Sequence, residues 1–466
     1  MNFKETTIKS LHADLLSGKV TSKDLYEHSI SVIKYRDETV NAFIEVFEDQ
    51  TFDQNIESGV LSGIPFGVKD NILFKGKKVS GASRMLENYV ASYDSKIAEI
   101  FKKQEVLLMG RLNMDDSAMG TSTESSYYGV TRNPLDESRV PGGSSGGPAA
   151  AVAAGMVPYS LGSDTGGSIR QPAACCGVVG LKPTYGSVSR RGLLAMSSSL
   201  DVIGPITNSV EDAETVFNVI NEYDEMDNTS VPLSVREKYQ EKNTNNKVIG
   251  IPRSFLDVDG LDKEVLNNFN ITIEKMKEEG YTVVDVELSN LKHALAVYYI
   301  LQPAEVSSNL ARYDGIRYGL SEKGENLIDG YKKTKTLGFG KEVQRRIMLG
   351  TYVLSSGYHD EYYYKARQLR TKITQEIREV FEKIDILATP TAPGVAFKFG
   401  AKKDPISLYL EDVFTVPYNL TGNPAISIPS GNNSEGMPFG MHFTAPMFCE
   451  EKLFEVGKDF ENSVLK

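Results

Sequence analysis

Two glycine-serine clusters decide the reading, VPGGSSGGPAAAVAAG (Val140–Gly155) and GSDTGGSIRQP (Gly162–Pro172), separated only by the apolar run MVPYSL. Pro148 suits the first turn of a helix, and Ala149 to Ala154 form a strong helix-former closed by Gly155. Ser144 and Ser145 are therefore placed at a helix N-terminus, among backbone N–H groups that have no intrahelical acceptor. Such an end holds a negative charge or a polar network. MVPYSLGSD then reads as a strand that delivers the chain to Thr165, Gly166, Gly167 and Ser168. Glycines there let the backbone approach a substrate and direct successive N–H groups at one developing oxyanion.

Gly142 to Gly146 satisfy G-x-S-x-G, the nucleophile-elbow pattern, which raises a serine hydrolase with a histidine base. The histidines argue against that. His293, His359 and His442, the downstream ones among five, sit in helix-like or strand-like patterns without an obvious loop acid, which suits surface or satisfied-core roles. A phosphate cradle needs a lysine and a hydroxyl directly after its glycines, and here Pro148-Ala149-Ala150 follow. With no histidine, a serine nucleophile draws on lysine as its base. Among many lysines, Lys69 in GIPFGVKDNI stands out because strand alternation puts it and Asp70 on opposite faces, so the neighbouring acid need not pair with it.

Outward from these clusters the chain alternates strand and helix. Thr21-Ser22 with Asp24 marks a helix start followed by an apolar stripe, and VNAFIEVF reads as a strand. GIPFGVKDNILF (63–74) is a strand, SKIAEIFKKQ a helix and EVLLMGRLN (105–113) another strand. Residues 222–247 are polar and turn-rich and read as an excursion over the surface. VIGIPR, a helix from about Leu261 to Glu279 closed by Gly280, and YTVVDVEL resume the pattern. A long helical pattern covers 341–384, and DILATPTAP, PAISIPSG and PFGMHFTAP supply late strands. This alternation predicts an α/β fold, one large mixed sheet with helices on both faces, as a single domain over 1–466.

Composition narrows the classes. The chain carries 51 Lys+Arg against 62 Asp+Glu, and its net charge of -11 repels nucleic acid and anionic membrane surface on average. Three cysteines, Cys175, Cys176 and Cys449, make no disulfide framework and fit buried small hydrophobes in a reducing compartment. The N-terminus has no apolar signal region and no apolar run is long enough to cross a bilayer, so a cytoplasmic protein is expected.

GIPFGVKDNI, PGGSSGG and GSDTGGSIRQPAA, in that order, resemble the three signature blocks of the amidase signature family. The resemblance implies the amidase-signature fold and a Ser-Ser-Lys triad, with Lys69 as base, Ser144 as the bridging serine after a cis peptide and Ser168 as nucleophile. Thr165, Gly166 and Gly167 are expected to form the oxyanion hole, and no metal is required. RLNMDDSAMGTSTESS, SSNLARYDGIRYG and FGKEVQRRIMLGTYVLSSGYHDEYY are similar to the glutaminase subunits of tRNA-dependent amidotransferases within that family. This similarity implies glutamine as the ammonia donor, held by Tyr298, Arg346 and Asp412. A bidentate guanidinium suits its α-carboxylate, and a carboxylate suits its α-ammonium.

The same similarity implies two partners, a tRNA-binding, ATP-using amidotransferase subunit and a small third one, with ATP and Mg used through the partner and no cofactor on this chain. The product is then Gln-tRNA(Gln) made from Glu-tRNA(Gln). A stand-alone amidase acting on small amides is the alternative. A glycine-loop ligand-binding protein explains neither Lys69 nor the order of the blocks. Two departures stand out: Asp116-Ser117 where relatives often read Glu-Phe, and Val202 where they often read Gln.

Overall fold

The computed structural model describes residues 1–240, 246–258, 260–402 and 404–463. Eleven strands assemble one sheet: β1 (Phe43–Val46), β2 (Pro65–Lys69), β3 (Leu107–Leu112), β4 (Tyr159–Asp164), β5 (Val179–Lys182), β6 (Val202–Thr207), β7 (Val248–Ile251), β8 (Thr282–Asp285), β9 (Ile386–Pro390), β10 (Ala425–Asn432) and β11 (Pro438–Thr444). Their order is β1-β3-β2-β4-β6-β5-β10-β11-β9-β7-β8. β2 runs parallel to both β3 and β4, and β7 parallel to β8 and β9, while the pairs between β4 and β9 are antiparallel. The sheet is mixed, as the alternation of elements predicts.

Every residue of β2, β4, β5, β6 and β9 is buried, because helices cover both faces and water reaches neither. Two apolar clusters divide across the sheet. One gathers Phe66, Val68, Tyr159, Leu161 and Ile203, and the other gathers Met109, Leu112 and Ile206 with Ala149 to Ala153. The edge strand β8 is mostly exposed and carries no such run.

The central helix Gly146–Ala153 forms where the alanine run predicts it, with Pro148 in its first turn and Ser145 at its N-cap. It presses hard on its surroundings: a Cβ on Gly147 would stand 2.3 Å from the Asn113 carbonyl oxygen, so only glycine fits. The helix Ser22–Val40 starts at the predicted capping box of Thr21 and Asp24. The helix Lys263–Glu278 ends before Gly280, whose φ is 88°.

The helical pattern over 341–384 resolves into separate pieces, Lys341–Val353, a π-helical turn His359–Tyr364 and Lys365–Val380. Gly357, at φ 93°, breaks the run after two serines. The polar excursion is anchored rather than loose: Arg236 is buried in the helix Leu233–Gln240 and donates to the Val231 and Ser187 carbonyls at 2.6 and 3.0 Å. Residues 241–245 of that stretch lie outside the described residues. All three cysteines are buried and none is in a disulfide. Among the described residues, no helix is long and apolar enough to cross a membrane.

Candidate active site

β2 and β4 are parallel neighbours, so their C-terminal ends emerge side by side, where open α/β sheets place ligands. Lys69 is the last residue of β2, and Asp164, the last of β4, opens the loop to Ser168. The N-terminal loop of the helix Gly146–Ala153 lies against both. Ser145 N–H donates to the Ser168 carbonyl at 3.1 Å, and its hydroxyl donates to the Ser163 carbonyl at 3.1 Å. Gly143 N–H donates to Gln171 Oε1 at 2.9 Å, and the Gly143–Ser144 peptide is cis.

Lys69 Nζ donates to Ser144 Oγ at 2.8 Å, to Ser163 Oγ at 2.9 Å and to the Ser163 carbonyl at 3.2 Å. Burial pushes its ammonium down to about 7, against the weaker opposing pull of Asp115, Asp164 and Asp201. Asp70 points the other way, into a 3.0 Å ion pair with Arg111. Lys69 and Ser144 are fully buried and Ser168 is 9% exposed, so of the three only Ser168 reaches outward. Its hydroxyl has no hydrogen-bond partner among the described residues, which leaves the atom free for an incoming carbonyl.

The oxyanion loop departs from expectation at one position. Gly167 N–H is committed to Asp164 Oδ1 at 2.9 Å, and Gly167 takes φ 139° with Thr415 so close that a Cβ would stand 2.3 Å from its hydroxyl. The N–H groups left without an acceptor among the described residues are those of Thr165, Gly166 and Ser168. Thr165 is held by its hydroxyl on Asp201 Oδ1 at 2.7 Å, and Gly166 by its carbonyl, which accepts from Thr415 Oγ1 at 2.6 Å. Asp201, Thr415 and Ser163 escape sequence reasoning because each acts through a partner distant in the chain. Val202 pairs in register with Asp164, and its departure lies behind the loop rather than in it.

Tyr298, Arg346 and Asp412 come from three separate elements and converge beside this loop. Tyr298 on the helix Ala294–Asn309 packs its ring against Gly166, where a Cβ would meet the ring at 2.7 Å. Asp412 belongs to the turn Leu410–Asp412, whose carbonyl accepts from Thr415 Oγ1 at 3.1 Å. Arg346 is 4% exposed, whereas the adjacent Arg345 has a side chain 48% exposed, so helical spacing turns only Arg346 inward.

The Arg346 guanidinium lies 5.1 and 5.4 Å from the ring centroids of Tyr299 and Tyr409, which stack on each other at 3.9 Å. Its Nε donates to Glu342 Oε1 at 2.8 Å and its Nη1 to Gln302 Oε1 at 3.2 Å, which leaves Nη2 open. Asp412 accepts from the Tyr299 hydroxyl at 3.3 Å. Burial pushes its carboxyl up to about 8 although Arg346 pulls the other way. A cleft of about 390 Å³ opens on Arg346, with Asp115, Met119, Ser122 and Tyr409 in its walls.

Asp116 has a structural account of its own. Its carboxylate accepts from Gly340 N–H at 2.7 Å, at the N-cap of the helix Lys341–Val353 that carries Glu342 and Arg346. Its neighbour Asp115 donates its N–H to the Ser144 carbonyl at 3.3 Å. Two consecutive residues thus link the bridging serine to the arginine helix. The histidines stay out of this chemistry: His442 is buried on β11 between Arg170 Nη1 at 3.0 Å and Thr389 Oγ1 at 3.2 Å.

A sheet of this topology with a buried lysine on a cis-linked serine beside a second serine loop defines a serine amidase without histidine. The amidase family profile matches residues 24–454, and the chain belongs to the amidase family. It is 46% identical over 471 residues to the glutamyl-tRNA(Gln) amidotransferase A-subunit of Macrococcus caseolyticus, covering 99% of this chain and 98% of that one. The crystal structure of the glutamyl-tRNA(Gln) amidotransferase A-subunit of Thermotoga maritima superposes with a TM-score of 0.83 at 40% identity, covering 99% of this chain and 95% of that one. The native peptide amidase of Stenotrophomonas maltophilia shares the fold at a TM-score of 0.80 and 27% identity, covering 99% of this chain and 97% of that one.

Proposed function

We propose that this chain is the glutamine-hydrolysing subunit of a tRNA-dependent amidotransferase, which supplies ammonia for converting Glu-tRNA(Gln) to Gln-tRNA(Gln). One observation carries the substrate: a buried guanidinium with an open edge and a buried carboxyl stand together beside the oxyanion loop, a pair matched to the two charges of a free amino acid. The names of the relatives at this level of identity point the same way.

In the reaction, Ser168 Oγ attacks the side-chain amide carbonyl. Its proton passes to Ser144 Oγ while the Ser144 proton passes to neutral Lys69 Nζ, and the N–H groups of Thr165, Gly166 and Ser168 receive the developing oxyanion. The intermediate collapses as the carbon–nitrogen bond breaks, and the proton returns through Ser144 to the leaving nitrogen, which departs as ammonia. Water then attacks the acyl-enzyme by the same relay and releases glutamate.

The acceptor belongs to the rest of the assembly. With a net charge of -11 and no P-loop, this chain leaves tRNA, ATP and Mg to a more basic amidotransferase partner, and a small third subunit completes the complex. The test is glutaminase activity of the purified chain alone and with its copurified partners. The expected result is weak activity alone that rises when partner, ATP and Glu-tRNA(Gln) are added. Rapid hydrolysis of assorted amides that neither partner nor tRNA alters would replace this reading with a stand-alone amidase.

A further inference from the structure

Lys69 Nζ meets three oxygens, Ser144 Oγ at 2.8 Å, Ser163 Oγ at 2.9 Å and the Ser163 carbonyl at 3.2 Å. A neutral amine has two N–H donors and one lone pair, and the proton relay needs that lone pair on the Ser144 hydroxyl. The carbonyl can only accept, so it takes one N–H. The lone pair then faces Ser144 provided that the Ser163 hydroxyl takes the other N–H and does not turn its own proton onto the nitrogen. Once protonated, the ammonium has three N–H groups for the same three oxygens. Ser163 Oγ is thus required as an acceptor in both states of the lysine.

Asn71 holds Ser163 in that role. Its Nδ2 donates to Ser163 Oγ at 2.9 Å, and among the described residues Lys69 and Asn71 are the two partners of that oxygen. With an N–H on each, both lone pairs of Oγ are filled, and the side chain is kept at the staggered position that reaches Lys69. Asn71 lies two residues beyond Lys69, in the turn after β2, and is 3% exposed. Its backbone is tied independently of its side chain: the N–H donates to the Lys69 carbonyl at 2.7 Å and the carbonyl accepts from Leu194 N–H at 2.8 Å. The Asn71 Oδ1 is buried without a hydrogen-bond partner among the described residues, where the amide bonds Ser163 alone. A buried asparagine kept for packing would satisfy both ends of its amide, so the contact with Ser163 is what this side chain is spent on.

We infer that Asn71 is a positioning residue, which holds Ser163 Oγ as an acceptor for Lys69 and so turns the lone pair of the amine on Ser144. The inference rests on the reading of Lys69 as the base and deepens it. Without Asn71, one lone pair of Ser163 Oγ is bare in a buried site, and the hydroxyl is free to swing away from Lys69 or to turn its proton onto the nitrogen. Either change leaves the lysine in place with its lone pair no longer directed at Ser144.

The experiment follows glutamine hydrolysis by the assembled complex across pH. Asn71→Leu, of similar volume but without an amide, should lower the plateau kcat on the order of 100-fold, the scale of a misplacement of about 1 Å, with KM for glutamine within about twofold. Asn71→Asp takes the Ser163 proton and so keeps Oγ an acceptor toward Lys69, and it sets a carboxylate within about 6 Å of Nζ. It should recover most of the plateau while the rising limb moves to higher pH by about one unit. The acids that face Lys69 from its other neighbours, Asp115 after β3, Asp164 at the end of β4 and Asp201 before β6, are the same in both variants. Asn71→Leu combined with Ser163→Ala should be no slower than Ser163→Ala alone, because the asparagine acts through the serine. A plateau and limb unchanged in Asn71→Leu of wild-type melting temperature overturn the inference, as do losses that add in the double variant. If Asn71→Leu fails to fold, Asn71→Ala, which removes the amide without added bulk, reads out the same plateau. Activity retained by Lys69→Ala overturns the reading of the base instead.

Discussion

Lys69 Nζ stands 2.8 Å from Ser144 Oγ and forms no ion pair with any carboxylate among the described residues. The acids that act on it, Asp115, Asp164 and Asp201, do so at a distance, while burial holds the amine down to about 7. A free lysine titrates near ~10.4, so near neutral pH a base exists here that an exposed lysine does not provide.

Activity should therefore climb as pH rises through about 7 and then level, as the folded lysine loses its proton. Lys69→Ala should remove activity, and Lys69→Arg should not restore it, because guanidinium stays protonated. The folded state binds fewer protons than the unfolded chain between about 7 and 10.5, so this lysine lowers stability fully below pH 7 and progressively less above it. Lys69→Met should accordingly melt higher than wild type, with the largest gain below pH 7 and a shrinking one toward pH 10. An active arginine variant would show that the residue acts through its charge.

Of the three residues proposed as the triad only Ser168 reaches outward, and Ser144 is enclosed on the lysine. Ser168→Ala should lose several orders of magnitude in kcat, and Ser144→Ala should leave at most a trace, because triad members act as a unit. A stopped assay that traps the acyl-enzyme separates them: only variants that keep Ser168 can form the adduct. Near-normal turnover by Ser168→Ala would remove it as nucleophile.

The assignment of Lys69, Ser144 and Ser168 came from the resemblance of three ordered blocks to the amidase signature, whereas composition alone left Lys69 one lysine among many. Lys69 and Asp70 fall on opposite faces for the elementary reason that a strand alternates, and the structure pairs Asp70 with Arg111 and leaves Lys69 to the serines. The supporting residues were not legible. Asp201 reaches Thr165 across 36 positions and Thr415 reaches Gly166 across 249, and no local pattern marks either. Gly167 misleads for a related reason: a run of glycines shows that N–H groups are accessible but not which one a buried carboxylate such as Asp164 will claim. The break near Gly357 was hidden because apolar periodicity runs through it.

Asp116 tests whether the arginine helix is held from the triad side. Its carboxylate accepts from Gly340 N–H, and losing a hydrogen bond to a charged group of this kind costs roughly 1.5–3 kcal/mol. Asp116→Ala should lower the melting temperature and raise KM for glutamine with kcat less affected, because Arg346 rides on that helix. Burial pushes the Asp116 carboxyl up to about 6 from 3.8, so the folded state binds more protons in that window and this group's contribution to stability falls as pH rises from 4 to 6. Melting curves of Asp116→Asn should gain on wild type across that window and run parallel above it. Parallel curves throughout would mean that the carboxyl does not titrate there.

The proposed function assigns the two charged ends of one amino acid to Arg346 and Asp412, and each contact with a charged group is worth roughly 1.5–3 kcal/mol. Arg346→Ala and Asp412→Ala should each raise KM for glutamine by roughly 10- to 150-fold, with a much smaller loss on a simple neutral amide. Burial raises Asp412 to about 8, so in the free protein at pH 7 its carboxyl is mostly protonated and must ionise to meet an ammonium. KM for glutamine should therefore fall as pH rises from 6.5 toward 8, a trend carried in KM, whereas the Lys69 trend belongs to the acylation rate. Asp412→Asn should flatten the KM profile and leave the Lys69 limb in place. If both substrates lose equally in the two alanine variants, and the KM profile of Asp412→Asn follows wild type, these residues hold the fold together rather than the amino acid.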